Sequence, residues 1–165
     1  MKQFPGLFTL LMGLIFVLPV SNALSAEASD DVIKVVYHAD FASPRRLSAM
    51  LSSINNMVTT YKSDLVEYDV RIVFVSHGIR FLSKDKLEKT PFAEDQELAE
   101  RRDNLMQRIA SLQNVHDVKL ELCDITRQSV NLDAKKLMAN VKLVRSGVVR
   151  IAELQHQGYA YLKIE

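Results

Sequence analysis

Apolar positions in this chain recur in blocks whose period switches between two, as in a strand, and about 3.6, as in a helix. Asp31–Tyr37 (DVIKVVY) is a short β-branched run that predicts a buried strand. After HADFASP, Pro44 suits the first turn of a helix. Leu47, Met50, Leu51, Ile54, Met57 and Val58 then draw one apolar stripe down that helix. Tyr68–Ser76 (YDVRIVFVS) predicts a second strand. Phe92 to Gln113 reads as a loop and a long charged helix with Leu98, Leu105, Ile109 and Leu112 inward. Asp117–Cys123 is a third strand in which Val118, Leu120 and Leu122 alternate with polar residues, and a helical turn can follow at Asp124–Ser129. Asn131–Ala139 predicts a short helix that Asn131 or Asp133 would cap. Val141–Val144 is a fourth strand, Ser146–His156 a helix and Tyr159–Ile164 a last strand.

Strand and helix alternate, which predicts a βαβ-built, mainly parallel five-stranded sheet with helices on both faces. In such sheets the ligand crevice lies beyond the carboxyl ends of the strands. The predicted strands run out into Tyr37-His38-Ala39-Asp40, Ser76-His77-Gly78, Cys123-Asp124 and Arg145-Ser146-Gly147. His38, His77, Gly78, Cys123, Arg145 and Gly147 are therefore expected on one rim. His116 and His156 fall elsewhere, before a strand and at a helix end.

The first residues change the picture of where the protein works. Met1, Lys2 and Gln3 precede a nearly continuous apolar run from Leu7 to Val20, and Ser21-Asn22-Ala23 supplies small residues for cleavage. This is the pattern of a secretory signal over residues 1–23, with cleavage as late as residue 28 also compatible. The run is shorter than the roughly 20 residues of a spanning helix, and nothing later could insert stably in a bilayer. The expectation is a periplasmic or secreted protein with a single domain over residues 30–165, about 140 residues long, enough for one core. The leader holds one of the 21 Lys and Arg residues and none of the 20 acidic ones. The mature chain is close to neutral, which argues against nucleic acid as a partner.

Candidate chemistry narrows to one thiol. Beyond the leader the glycines are Gly78, Gly147 and Gly158; neither a dinucleotide fingerprint nor a phosphate loop is present, and no cofactor is expected. There is no GxSxG elbow and no CxxC pair. Cys123 is the single cysteine. One reading makes it a small hydrophobe at a strand end. The other makes it a nucleophile, favoured by a following helix and by His38, His77, Arg127 or Arg145, and opposed by the Asp124 carboxylate. A third would join His38, His77 and Cys123 as nitrogen and sulfur ligands of a metal, although no tight spacing supports it. His77-Gly78 also reads as a plain turn with glycine at positive φ. The stretch KDKLEKTPFAEDQELAERRD reads as a solvated loop and helix face, with Glu97 and Arg101 placed as an i,i+4 pair.

From about Val32 to Lys163 the chain resembles the DsrE/DsrF-like family, in particular its small exported members. The likeness is carried by IKVVYHAD, VRIVFVSHGIRFL, LELCDIT and above all VRSGVVRIAELQHQGYAYLKI. It implies a flavodoxin-like three-layer α/β sandwich that assembles into homotrimers or homohexamers. It also implies that a cysteine near a strand end, here Cys123, carries sulfur as a persulfide and exchanges it with a thiol-bearing donor or acceptor protein. His77, Gly78, Gly147, Gln155, Gly158 and Tyr159 match recurrent positions of the family with no role attached. Without such a role, the chain reads as an oligomeric binding module with a structural cysteine.

Overall fold

A computed structural model of the chain describes residues 1–2 and 32–165. Residues 3–31, with the rest of the expected leader, its cleavage positions and Asp31, lie outside the described residues. The first strand, β1 (Ile33–Ala39), runs two residues further than its pattern predicts. Helix α1 (Pro44–Ser63) starts where Ser43 Oγ accepts the Arg46 N–H at 3.2 Å and Pro44 takes the first turn. Its stripe of Leu47, Met50, Leu51, Ile54 and Val58 is buried as expected, while Met57 is partly covered. Strand β2 (Tyr68–Phe74) gives way to a 3-10 turn at Ser76–Phe81. Helix α2 (Gln96–His116) is capped by Asp95, whose carboxylate accepts the Leu98 N–H at 2.8 Å. Strand β3 (Lys119–Cys123) runs directly into the short helix α3 (Asp124–Ser129). Strand β4 (Val141–Val144), helix α4 (Gly147–His156) and strand β5 (Ala160–Leu162) complete the chain.

Two expectations need correction. The helix predicted over Asn131–Ala139 is only a 3-10 turn at Ala134–Lys136, capped by Asp133. Its residues are mostly exposed, so no apolar stripe holds further turns in place. The charged stretch Lys84–Asp103 is not wholly a solvated face. Glu97 does pair with Arg101, at 3.6 Å. But Arg102 is buried, its Nε donating to Glu94 Oε1 at 2.7 Å and its Nη1 to the carbonyls of Arg80 and Ser83. Arg80 is buried too, and donates to the Ala93 carbonyl and to Asp95. The two guanidiniums tie the loop after the 3-10 turn to the start of α2. Each offers several donors in a rigid fork, so one side chain satisfies several backbone carbonyls.

All five strands are parallel, in the order β4-β3-β2-β1-β5. From β1 to β4 each crossover steps the same way, so right-handed connections place α1, α2 and α3 on one face. The return from β4 to β5 steps the other way and places α4 on the opposite face. Burial follows this split. Val35, Tyr37, Val70, Ile72, Phe74, Leu120 and Leu122 pack against α1 and α2, and Val36 and Val73 pack against Ile151 and Leu154 of α4. The result is the expected three-layer, flavodoxin-like α/β sandwich. No helix among the described residues is long and apolar enough to cross a membrane.

Candidate functional site at the end of strand β3

Strands β3 and β4 are neighbours, yet the chain leaves them toward opposite faces of the sheet. Such a point opens a crevice between two connections, which is where open α/β sheets bind ligands. Cys123 is the last residue of β3, pairs with Val144 of β4, and is the N-cap of α3. Helix α4 starts beside it. Gly147 packs so closely that a Cβ there would lie 2.4 Å from Val75 Cγ2 and 3.1 Å from Cys123 Cβ.

The sulfur therefore faces the first turns of two helices. Burial pushes the Cys123 thiol up, but the backbone N–H groups of Gly147, Thr126 and Ile125 and the Thr126 hydroxyl turn toward it, and the net direction is down from its ordinary value. None of these groups closes a capping hydrogen bond. Thr126 is fixed in turn, because its Oγ1 accepts the Ser76 N–H at 3.1 Å. The opposing carboxylate is disarmed: Asp124 accepts from Arg127 Nε at 2.6 Å and Gln128 Nε2 at 2.5 Å. Arg127 also donates to the Leu132 carbonyl, so its two anchors lie on α3 and in the loop that follows it.

Cys123 is 5% exposed. Beside it lies a cleft of about 610 Å³ walled by Ile125, Val144, Arg145, Ser146 and Val149, with Arg145 exposed on its edge. Cys123, Arg145 and Gly147 thus share one corner of the expected rim.

The histidines have other side-chain neighbours. His38 Nδ1 lies 3.0 Å from the Tyr161 hydroxyl and its Nε2 lies 3.8 Å from Asp40, which Lys163 holds at 3.0 Å. Burial lowers the His38 pKa, against the pull of Asp40. His77 sits in the 3-10 turn with its ring edge on Phe92, centroids 5.1 Å apart. Among the described residues no three His, Cys, Asp or Glu side chains converge on a metal position. The joint ligand set of His38, His77 and Cys123 is not assembled, because the strand ends carrying them send their side chains to separate neighbours. Gly78 is also not a positive-φ turn residue; Ser76 takes that conformation, at φ 51°. What Gly78 meets is the Ala39 carbonyl, 2.2 Å from where a Cβ would stand.

Sequence reading passed over Thr126 and the buried Glu121. The signal for Glu121 was a carboxylate between Leu120 and Leu122 in an apolar strand. It is 1% exposed and bonded to Arg71 and Arg150.

A pH experiment checks the sulfur's surroundings. With its pKa lowered on folding, the thiol binds fewer protons in the native than in the unfolded chain, so stability should rise with pH through that window. The difference in unfolding free energy between wild type and Cys123→Ser should grow from below the native pKa and level off near the unfolded value of about 8.5. Denaturant titrations across that range measure it, and a difference that stays flat would show an unperturbed thiol.

Comparison with known proteins comes from sequence and from structure. Residues 24–164 match the model of the DsrE/DsrF-like family. No curated protein matches the chain. Among solved structures, the protein of unknown function MTH1491 from Methanobacterium thermoautotrophicum is similar at 24% identity and a TM-score of 0.60, covering 79% of this chain and 98% of that one. The ychN protein from E. coli is similar at 17% identity and a TM-score of 0.53, covering 80% and 99%. At these identities the two structures speak for the fold alone.

Proposed function

Because the chain belongs to the DsrE/DsrF-like family, we propose that it is a sulfur carrier in which Cys123 holds sulfane sulfur as a persulfide and yields it to a partner thiol. The observation that carries this reading is the ring of donors on the sulfur: N–H groups of Gly147, Thr126 and Ile125 and the Thr126 hydroxyl, which favour the thiolate that must attack. The steps balance without an added oxidant. Cys123–S⁻ attacks the outer sulfur of a donor R–S–SH; the new S–S bond forms as the donor's own S–S bond breaks, giving Cys123–S–SH and R–S⁻. An acceptor thiolate then attacks the outer sulfur, forms its own persulfide and releases Cys123–S⁻. Near-complete burial of the cysteine shelters the loaded form from oxidation.

The carrier works outside the cytoplasm, in the periplasm or as a secreted protein, on the strength of the leader pattern in residues 1–23. It acts as a homotrimer or homohexamer. Ile125, Val148 and Val149, which leave large apolar side chains exposed around the cysteine, support assembly at this corner. The alternative is an oligomeric binding module with a structural cysteine, and the 5% exposure of Cys123 favours it.

Intact mass spectrometry of wild type and Cys123→Ser, before and after polysulfide, separates the two. A gain of about one sulfur atom, reversed by reductant and missing from the variant, is the expected result for a nucleophilic thiolate. No gain, with Cys123 resisting alkylation until the chain unfolds, would establish the structural role.

A further inference from the structure

Beneath the cysteine, on the face of the sheet that α4 covers, lies a charged cluster that the carrier chemistry does not use. Glu121 Oε1 accepts from Arg71 Nη1 at 2.8 Å and from Arg150 Nη2 at 3.0 Å, and its Oε2 accepts from Arg150 Nε at 2.6 Å. Arg71 also donates to Asp69 at 2.7 Å and to the Tyr159 hydroxyl at 2.9 Å, and Tyr159 donates to Asp69 at 2.8 Å. The cluster joins β2, β3, α4 and the turn that follows α4.

Its position relative to the sulfur is specific. Glu121 stands two residues before Cys123 on the same face of β3, about 7 Å down the strand. Arg150 stands three residues after Gly147, about one turn down α4. The Arg150–Glu121 pair is bidentate, a geometry that fixes orientation as well as distance. It therefore joins strand and helix one level below the place where Gly147 meets Cys123. A helix is rigid over one turn, so holding Arg150 on Glu121 sets how deep the end of α4 sits.

We propose that Glu121, clamped by Arg71 and Arg150, is a positioning residue for Cys123: it holds α4 at the depth where the Gly147 N–H faces the sulfur. Glu121 never touches the reacting atoms. It acts through the helix, and its role rests on Cys123 working as a thiolate. The other charged groups around the cysteine are Asp124 and Arg127, paired with each other on α3, and Arg145, exposed before α4.

Direct charge and positioning make opposite predictions for Glu121→Gln. Removing a nearby negative charge should by itself stabilise the thiolate and lower its pKa. Loosening α4 should withdraw the Gly147 N–H and raise it. The expected result is a rise of about one pH unit, read from the pH at which alkylation of Cys123 by iodoacetamide reaches half its maximal rate. The Gly147 amide resonance, which should follow the Cys123 titration in wild type, should stop following it in the variant. Arg150→Lys provides a second arm if Glu121→Gln does not fold. It keeps the charge but not the fork, so positioning again predicts a rise, and charge alone predicts none. A folded variant whose thiol pKa is unchanged or lower overturns the proposal. Sulfur loading is scored separately: a wild type that loads sulfur while both variants keep its thiol pKa would leave the carrier standing and remove the positioning role. The converse result, raised pKa values without loading, would do the reverse.

Discussion

Gly78→Ala is expected to destabilise the protein by about 3 kcal/mol or more, with a midpoint of thermal unfolding roughly 10 °C below wild type. An added Cβ would stand 2.2 Å from the Ala39 carbonyl oxygen, 3.2 Å from its carbon and 3.3 Å from Phe74 Cβ. That oxygen cannot step aside, because it accepts the Val75 N–H at 2.9 Å where β1 and β2 end together. The turn would have to move instead. Moving it would lift Ile79 and Phe81, both fully buried, and Arg80, whose guanidinium anchors Ala93 and Asp95. Overpacking of this kind usually costs 1–3 kcal/mol when side chains can adjust; here backbone faces backbone, which puts the change at or beyond the upper end. Circular dichroism melts of both proteins measure the loss. A midpoint within about 2 °C of wild type would show that the turn yields.

The second large effect is expected at Gly147, and it separates stability from reactivity. In Gly147→Ala the new methyl would sit 2.4 Å from Val75 Cγ2 and 3.1 Å from Cys123 Cβ. Valine is stiff at χ1, so the relief comes from α4 moving outward. The stability cost should be about 1–3 kcal/mol. The chemical cost should be larger, because the Gly147 N–H is the first of the groups that offset the burial of the thiol. With that donor withdrawn, burial pushes the Cys123 pKa upward. Alkylation of the native protein near pH 7 should then slow several-fold, because below the pKa the thiolate fraction drops about tenfold for every pH unit the pKa climbs, partly offset by the greater nucleophilicity of a more basic thiolate. The measurement is the rate against pH for wild type and variant, each checked for folding by its melt. A variant that folds and keeps the wild-type pH profile would show that Thr126 and Ile125 hold the thiolate without α4. Glu121→Gln and Gly147→Ala move the same contact from two sides, so their effects on the thiol should not add.

The parts of the fold that the chain spells out are those with a strong local period. The α1 stripe from Leu47 to Val58 and the alternation through Val118, Leu120 and Leu122 hold whatever their neighbours do, because each needs one apolar side. The strand ends therefore came out near their true places, and Cys123 with them. The helix expected at Asn131–Ala139 fails because no buried stripe follows its cap, and a cap alone does not carry a helix. The charges of Lys84–Asp103 misled for a related reason. Composition cannot distinguish Arg101, which pairs at the surface, from Arg102, which is folded inward onto Glu94 and two carbonyls.

The site shows the same division. That a thiol ends β3 and a glycine opens α4 is written in LELCDIT and VRSGVVR. The sequence alone determines an alternating α/β chain with a leader-like start, a near-neutral body and one cysteine at a strand end, because period, charge and residue type are properties of neighbours along the chain. The tertiary structure decides which strand ends share a corner. It sends His38 to Tyr161 and His77 to Phe92, and it brings Gly147, Thr126 and the Glu121 clamp around the cysteine. Except for Thr126, three residues on from the cysteine, these contacts join residues far apart in sequence. They depend on strand order and on which face each crossover takes, and no local pattern encodes either.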